Sequence, residues 1–173
     1  MEKLKVLLGR QQIEAKIGEL AVAIERDYRD KNPLLVGVLK GSFIFLADLV
    51  RALSLPLEIE FVRLSSYIGR DTSGRVEVVQ DVRTSIEGRH VLVVEDIVDT
   101  GLSLNFLLEH LRRKNPASLK LCALLDKPSR RRVSLSIDYL GFTIPDRFVV
   151  GYGLDYDEKF RHLPDICYLE GNE

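Results

Sequence analysis

Residues 91–103 read VLVVEDIVDTGLS. Four apolar residues in a row describe a strand buried on both faces, the kind found inside a parallel sheet. Three carboxylates follow within five positions, Glu95, Asp96 and Asp99, and then a small Thr-Gly pair. A buried strand aimed at concentrated negative charge needs a reason, and three compete. A solvated acidic turn would leave Asp99 or Thr100 merely capping the next helix. An ATPase-type strand would use its acid to handle magnesium, but that reading needs G-x-x-x-x-G-K-[ST], and no such stretch exists in the chain. GVLKGS at 37–42 has neither the spacing nor a lysine after its second glycine, and GYG at 151–153 lacks the third glycine of a dinucleotide fingerprint.

The third reading divides the segment by task. Thr100, Gly101, Leu102 and Ser103 open a helix whose free N–H groups, with two hydroxyls, suit a phosphate dianion. Gly101 lets the backbone approach that phosphate without a side chain in the way. Glu95 and Asp96, just upstream, suit the hydroxyls of a diol. A phosphate beside a vicinal diol is a ribose 5-phosphate, although spacing alone does not choose a reaction.

The remaining elements place that segment. Ile13, Ile17, Leu20, Ala21, Ile24 and Tyr28 recur at helical spacing and predict a helix over 10–30. PLLVGVLKG at 33–41 predicts a short buried strand, and Ser42 an N-cap for a helix over FIFLADLVRAL. LEIEFVRLSSY (57–67) and RVEVVQ (75–80) flank the turn-rich IGRDTSG and predict a long hairpin. HVLVVE (90–95) is the next strand, a helix begins near 101, and strands are expected at 118–126, 137–142 and CYLE near the end. The order β-α-β, hairpin, β-α-β-β implies an α/β fold with a mainly parallel sheet covered on both faces. Ligands of such sheets bind beyond the carboxyl ends of the strands. Lys40-Gly41, Glu95-Asp96 and Asp126-Lys127 all fall at such ends.

The totals set limits. The chain has 173 residues, 46% hydrophobic and 29% charged, enough for one sizeable core in a single domain. A formal charge of −1 offers no overall attraction to nucleic acid or an anionic membrane. The basic cluster Arg130-Arg131-Arg132 is read as a solvated turn or a subunit contact. Cys122 and Cys167 lie in apolar, strand-like contexts and are read as buried thiols rather than a disulfide framework. Only Val6-Leu7-Leu8 follows the basic start, too short for an export signal. No apolar run approaches the ~18 residues of a membrane span. The expectation is a soluble, cytoplasmic protein.

VLVVEDIVDTG closely resembles the signature of the type I phosphoribosyltransferases, which bind 5-phosphoribosyl 1-pyrophosphate (PRPP). VGVLKGSFIFLADLVRAL (36–53), RLSSY (63–67), LLDKPSRR (124–131) and IPDRFVVGYGLDYDEKFR (144–161) resemble, in the same order, segments of the family's hypoxanthine-guanine branch. The resemblance covers roughly residues 5–170. It implies the type I fold: a core over roughly 10–142, a flexible hairpin lid, and a small purine-side hood from the N-terminal residues and roughly 143–173. It implies transfer of the phosphoribosyl group from PRPP to N9 of hypoxanthine or guanine, giving IMP or GMP and pyrophosphate, with Mg2+ as cofactor. A xanthine-preferring relative and a PRPP-sensing regulator that binds RNA or DNA are the alternatives. Lys40-Gly41, Asp99 and Arg161 favour catalysis, and the charge balance argues against nucleic acid.

Residue roles follow from the same resemblance. Glu95 and Asp96 match the acids that hold the ribose hydroxyls and a magnesium ion. Asp99 matches the proton acceptor at purine N7, and Thr100 to Ser103 the 5′-phosphate loop, where Ser103 replaces the family's frequent threonine and keeps the hydroxyl. Lys40 and Gly41 match the pyrophosphate loop, in which the peptide before the lysine is often cis. Arg161 matches the pyrophosphate-binding arginine. Lys127 matches the donor to purine O6, and a donor-only ammonium disfavours the 6-amino group of adenine. Phe148 matches the ring that stacks on the base, with Val149 contacting its edge. Asp155 matches an acid holding a second magnesium, beside position 2 of the purine. Ser66 and Tyr67 open the lid. A homodimer or homotetramer is implied.

Overall fold

The computed structural model describes residues 3–67 and 75–170. Six strands form one sheet in the order β4-β3-β2-β5-β6-β7. They are β2 (Leu34–Leu39), β3 (Glu58–Tyr67), β4 (Arg75–Gln80), β5 (His90–Val98), β6 (Ser118–Asp126) and β7 (Tyr139–Thr143). Every pairing is parallel except β3 with β4, the predicted hairpin. The centre of this sheet reads as the hydrophobic runs require: Val91, Leu92, Val93 and Val94 of β5 are all fully buried.

Helices α1 (Arg10–Tyr28), α2 (Phe43–Ala52) and α3 (Leu102–Arg112) cover the sheet. Alternation of side chains along each strand splits the core in two. On one face Leu35, Leu92, Val94 and Leu124 pack with Ile13, Ile17 and Ile24 of α1 and Phe45 and Leu49 of α2. On the other, Leu34, Val36, Val91 and Val93 pack with Leu104, Leu107 and Leu111 of α3. Neither face is left to water, so both ends of the sheet are the places where a polar ligand can meet the strands.

Three strands form a second, antiparallel sheet in the order β1-β9-β8: β1 (Leu4–Leu8), β9 (Ile166–Leu169) and β8 (Val149–Val150). β1 and β8 differ from the sequence reading, which assigned neither. β1 is five residues with mixed exposure and finds its partner at the far end of the chain, with Val6 opposite Cys167. A local pattern carries no trace of such a pairing.

Two further differences bear on the site. Ser42 does not cap α2 with its side chain. It is fully buried, and its hydroxyl instead donates to the Val38 carbonyl at 2.7 Å, tying the Lys40–Gly41 turn back to β2. And β5 does not end at Glu95: the strand runs on to Val98, where it still pairs with Asp126 of β6. Both cysteines are free and buried, and among the described residues no helix is long and apolar enough to cross a membrane.

Candidate active site at the carboxyl ends of the strands

Because β5 continues through Glu95 and Asp96, these two carboxylates are set by strand geometry rather than by a loop. Their backbone is held locally: Asp96 N–H donates to Glu95 Oε1 at 2.9 Å, and Ile97 N–H to Asp96 Oδ1 at 2.7 Å. Burial, with the Asp96 carboxylate alongside, pushes the Glu95 carboxyl well above the usual carboxylate range. Two adjacent acids at a strand end are thus short of positive charge or of hydrogen-bond donors. A sugar diol or a hard divalent cation supplies what they lack.

The turn into α3 lies directly beyond. Gly101 takes φ +83°, in the left-handed region that glycine adopts without cost, and stands at the N-cap of α3. A side chain there would press on Arg131 and Val133 at 3.1 and 3.2 Å. Glu95, Asp99, Thr100, Gly101 and Ser103 line one recess of about 140 Å³. No acidic residue occupies the first turn of α3, so its N–H groups face no competing carboxylate there. Leu102 is exposed and contributes only backbone to this turn.

A second cleft, of about 380 Å³, adjoins the first. Asp96, Asp99, Lys127, Phe148, Val149 and Asp155 line it together with Arg130 and Asp146. Residues distant in sequence therefore meet here. Lys127 sits at the end of β6, buried at 6% exposure, and its N–H donates to the Val98 carbonyl at 2.9 Å. Phe148 is 44% exposed, unusual for a large aromatic ring beside a buried strand. It packs against Tyr156 in a T-shaped arrangement with ring centres 5.5 Å apart.

On the far side of Asp96 lies the Lys40–Gly41 turn. The Leu39–Lys40 peptide is cis, the form that the family resemblance implies. Gly41 is packed so closely that an added Cβ would strike the Asp96 carboxylate, and a Cβ on Gly153 (φ +97°) would strike the Gly41 carbonyl. Gly153 is in turn bonded to Arg161 twice: its N–H donates to the Arg161 carbonyl at 2.9 Å, and Arg161 Nη1 donates to its carbonyl at 2.7 Å. Arg161 also pairs with Asp155 at 3.1 Å, and its buried Nε has no hydrogen-bond partner among the described residues. Lys40 Nζ donates to Glu158 at 2.8 Å, and this bond holds the Glu158 carboxyl below the usual carboxylate range. Lys40, Gly41, Asp96, Asp155 and Arg161 so form one continuous wall.

Ser66 is exposed near the end of β3 and Tyr67 closes that strand. The lid expected over 68–74 lies outside the described residues. No set of three His, Cys, Asp or Glu side chains among the described residues is grouped to hold a metal by itself. Glu95, Asp96 and Asp155 are hard oxygen donors, and magnesium is commonly held by one or two carboxylates with substrate phosphates and water completing its shell. The donor set fits such an ion.

Several residues of the site escaped the sequence reading. Arg131, grouped there with a solvated turn, is half-buried, pairs with Asp126 and donates to the Asp99 carbonyl at 3.2 Å. The signal was available: an acid and an arginine five residues apart, straddling a proline-initiated turn at the end of a buried strand. Gly153, Glu158 and Asp146 gave no such signal. A roomier cleft of about 490 Å³, lined by Arg10, Glu14, Asp48, Arg51, Tyr152 and His162, contains none of the strand-end residues. Its charges satisfy one another, Arg10 with Glu14 and Arg51 with Asp48.

A parallel α/β sheet with a phosphate-suited turn, a pair of diol-suited acids and an aromatic-lined cleft on one edge defines a nucleotide-forming or nucleotide-binding domain. The phosphoribosyl transferase domain family matches residues 5–157, and the chain belongs to that family. It is 46% identical over 168 residues to the hypoxanthine-guanine phosphoribosyltransferase of Bacillus subtilis, covering 96% of this chain and 93% of that one. The Aquifex aeolicus protein of the same name is also 46% identical, covering 98% and 96%. The crystal structure of a Bacillus anthracis hypoxanthine-guanine phosphoribosyltransferase superposes with a TM-score of 0.92 at 45% identity, covering 98% of this chain and 99% of that one.

Proposed function

We propose that this purine-salvage transferase moves the 5-phosphoribosyl group of PRPP to N9 of hypoxanthine, and of guanine, releasing pyrophosphate and giving IMP or GMP. The observation that carries the reading is the meeting of two clefts at Ile97 and Asp99, one suited to a ribose 5-phosphate and the other to a flat base with a carbonyl edge.

Thr100 to Ser103 receive the 5′-phosphate, through the N–H groups of the α3 terminus and the hydroxyls of Thr100 and Ser103. Glu95 and Asp96 accept hydrogen bonds from the ribose hydroxyls. Lys40, the Gly41 backbone and Arg161 receive the pyrophosphate, exchanging their present carboxylate partners for it. Phe148 stacks on the base and Val149 meets its edge through backbone atoms. Lys127, with three donors and no acceptor, selects O6 over a 6-amino group. Asp99 accepts the proton at N7 as the N9–C1′ bond forms. Ser66 and Tyr67 begin the lid, whose closure would keep water from the electron-poor C1′. The β1-β9-β8 sheet, with the residues from about 143 onward, serves as the hood over the base.

Glu95 and Asp96 on one side and Asp155 on the other would hold Mg2+. Bound there, magnesium supplies positive charge to the diphosphate and makes it a better leaving group. A homodimer or homotetramer working in the cytoplasm, without nucleic-acid or membrane partners, completes the proposal.

Incubation with PRPP, hypoxanthine and magnesium tests it, with products separated and weighed. IMP and pyrophosphate should form in equal amounts, and a chelator should stop both. Failure to form IMP with magnesium present would refute the assignment.

A further inference from the structure

The 127–132 segment is stitched to the signature turn. Lys127 N–H donates to the Val98 carbonyl at 2.9 Å, Arg131 Nε to the Asp99 carbonyl at 3.2 Å, and Arg132 N–H to the Thr100 carbonyl at 2.9 Å. The Arg131–Asp126 pair, with side chains only 18% and 13% exposed, fixes the same segment from below. Between these anchors, Pro128–Arg130 form one tight turn opened by proline. Arg130 therefore hangs from a backbone whose position relative to Asp99 is set by several independent bonds.

Its guanidinium lies against the Asp99 side chain, with Nε 2.9 Å from Oδ1. That oxygen is shut away from solvent and has no aligned hydrogen-bond donor, although the Asp99 side chain as a whole is 43% exposed. The exposed part of the Asp99 side chain therefore excludes Oδ1, and the residue lines both clefts. At its far end Arg130 reaches Asp146 of the 144–148 segment, with Nη1 3.6 Å from Oδ1. Arg130, Asp146 and Asp99 all line the cleft that also holds Lys127 and Phe148.

We propose that Arg130 is a positioning residue for the transfer reaction: it holds one oxygen of Asp99 and thereby directs the other at the purine, while Asp146 steadies Arg130 from the hood. This rests on the reading of Asp99 as the proton acceptor. Arg130 is half-exposed, so the pair adds little to the stability of the fold. Its effect is on where a carboxylate points, and a misdirected acceptor slows the chemical step without weakening PRPP binding.

A double-mutant cycle on the full-length chain isolates this. Arg130→Gln should lower kcat about fivefold, the most that a half-exposed charge pair supplies, with the KM for PRPP unchanged. Arg130→Lys should recover part of the loss, and Asp146→Asn should give a smaller loss of the same kind. In the Asp99→Asn background, Arg130→Gln should cost nothing further. Equal fractional losses in both backgrounds, or a wild-type kcat for Arg130→Gln, would overturn the proposal while leaving Asp99 in its role. A wild-type kcat for Asp99→Asn would instead remove the proton acceptor, and the positioning role with it.

Discussion

The two halves of the site are built in opposite ways. The ribose-phosphate half comes from one run of nine residues, Glu95 to Ser103, in which a strand end and a helix start place every group. The pyrophosphate and purine half is gathered from the turn after β2, the end of β6, and the 144–161 segment, and is held by contacts such as Gly41 on Asp96 and Gly153 on Gly41. The first half needs only local geometry. The second exists only when the β1-β9-β8 sheet and the six-stranded sheet are both formed, so a change far along the chain can displace it.

Asp99, where the halves meet, should give the largest effect. Asp99→Asn should lower kcat about a hundredfold, within the usual range for a proton-transfer group, and calorimetry should find PRPP binding retained. A comparable loss of PRPP affinity would place Asp99 in the first half alone. Lys127→Gln breaks the second half selectively: the KM for hypoxanthine should rise about tenfold, as expected for a lost charged hydrogen bond, while the KM for PRPP holds. Gly153→Ala tests whether the assembled half transmits displacement. A Cβ there meets the Gly41 carbonyl in a left-handed backbone, and the KM for PRPP should rise several-fold although residue 153 touches neither sugar nor phosphate.

The same contrast explains what the sequence revealed. Val91 to Val94 are four consecutive apolar residues on a doubly buried strand, and the acids and Gly101 that follow carry their chemistry in their spacing. The ribose-phosphate half was legible for that reason. Lys40 and Lys127 showed only a place at the end of a strand, Phe148 and Arg161 not even that, and resemblance to the family alone suggested their roles. Ser42 stands at the N-cap of α2 as its sequence context predicts, but its hydroxyl bonds back to residue i−4 instead of to the helix, a difference one dimension does not show. Arg131 misled because three arginines in a row read as a solvated surface, whereas Asp126 and the Asp99 carbonyl give the second of them partners.

A smaller effect lies at the far end of α3, where His110 Nε2 and Lys114 Nζ meet Asp81 at 2.8 and 3.1 Å. Burial would raise the Asp81 carboxyl, but its bonds to His110, Lys114 and the Val82 N–H outweigh this and hold it below the usual carboxylate value of 3.8. A depressed carboxylate stabilises the fold above its unfolded pKa, and that contribution is lost as the pH falls through its folded pKa. Asp81→Asn should cost under about 1 kcal/mol at neutral pH, since the pair is partly exposed. The gap from the parent chain should close as the pH drops through the folded pKa of Asp81, below the usual carboxylate value. A gap that persists there would mean the pairing is not its source.

The division of labour between the halves is tested most directly by the choice of base. With PRPP and magnesium held saturating, nucleotide formation is followed for hypoxanthine, guanine, xanthine and adenine in parallel. Hypoxanthine and guanine should give IMP and GMP, and adenine should give no nucleotide above background, if Lys127 holds its proposed place opposite position 6, where it would offer only donors. Efficient conversion of adenine, or no conversion of any 6-oxopurine, would contradict the assignment of the second cleft.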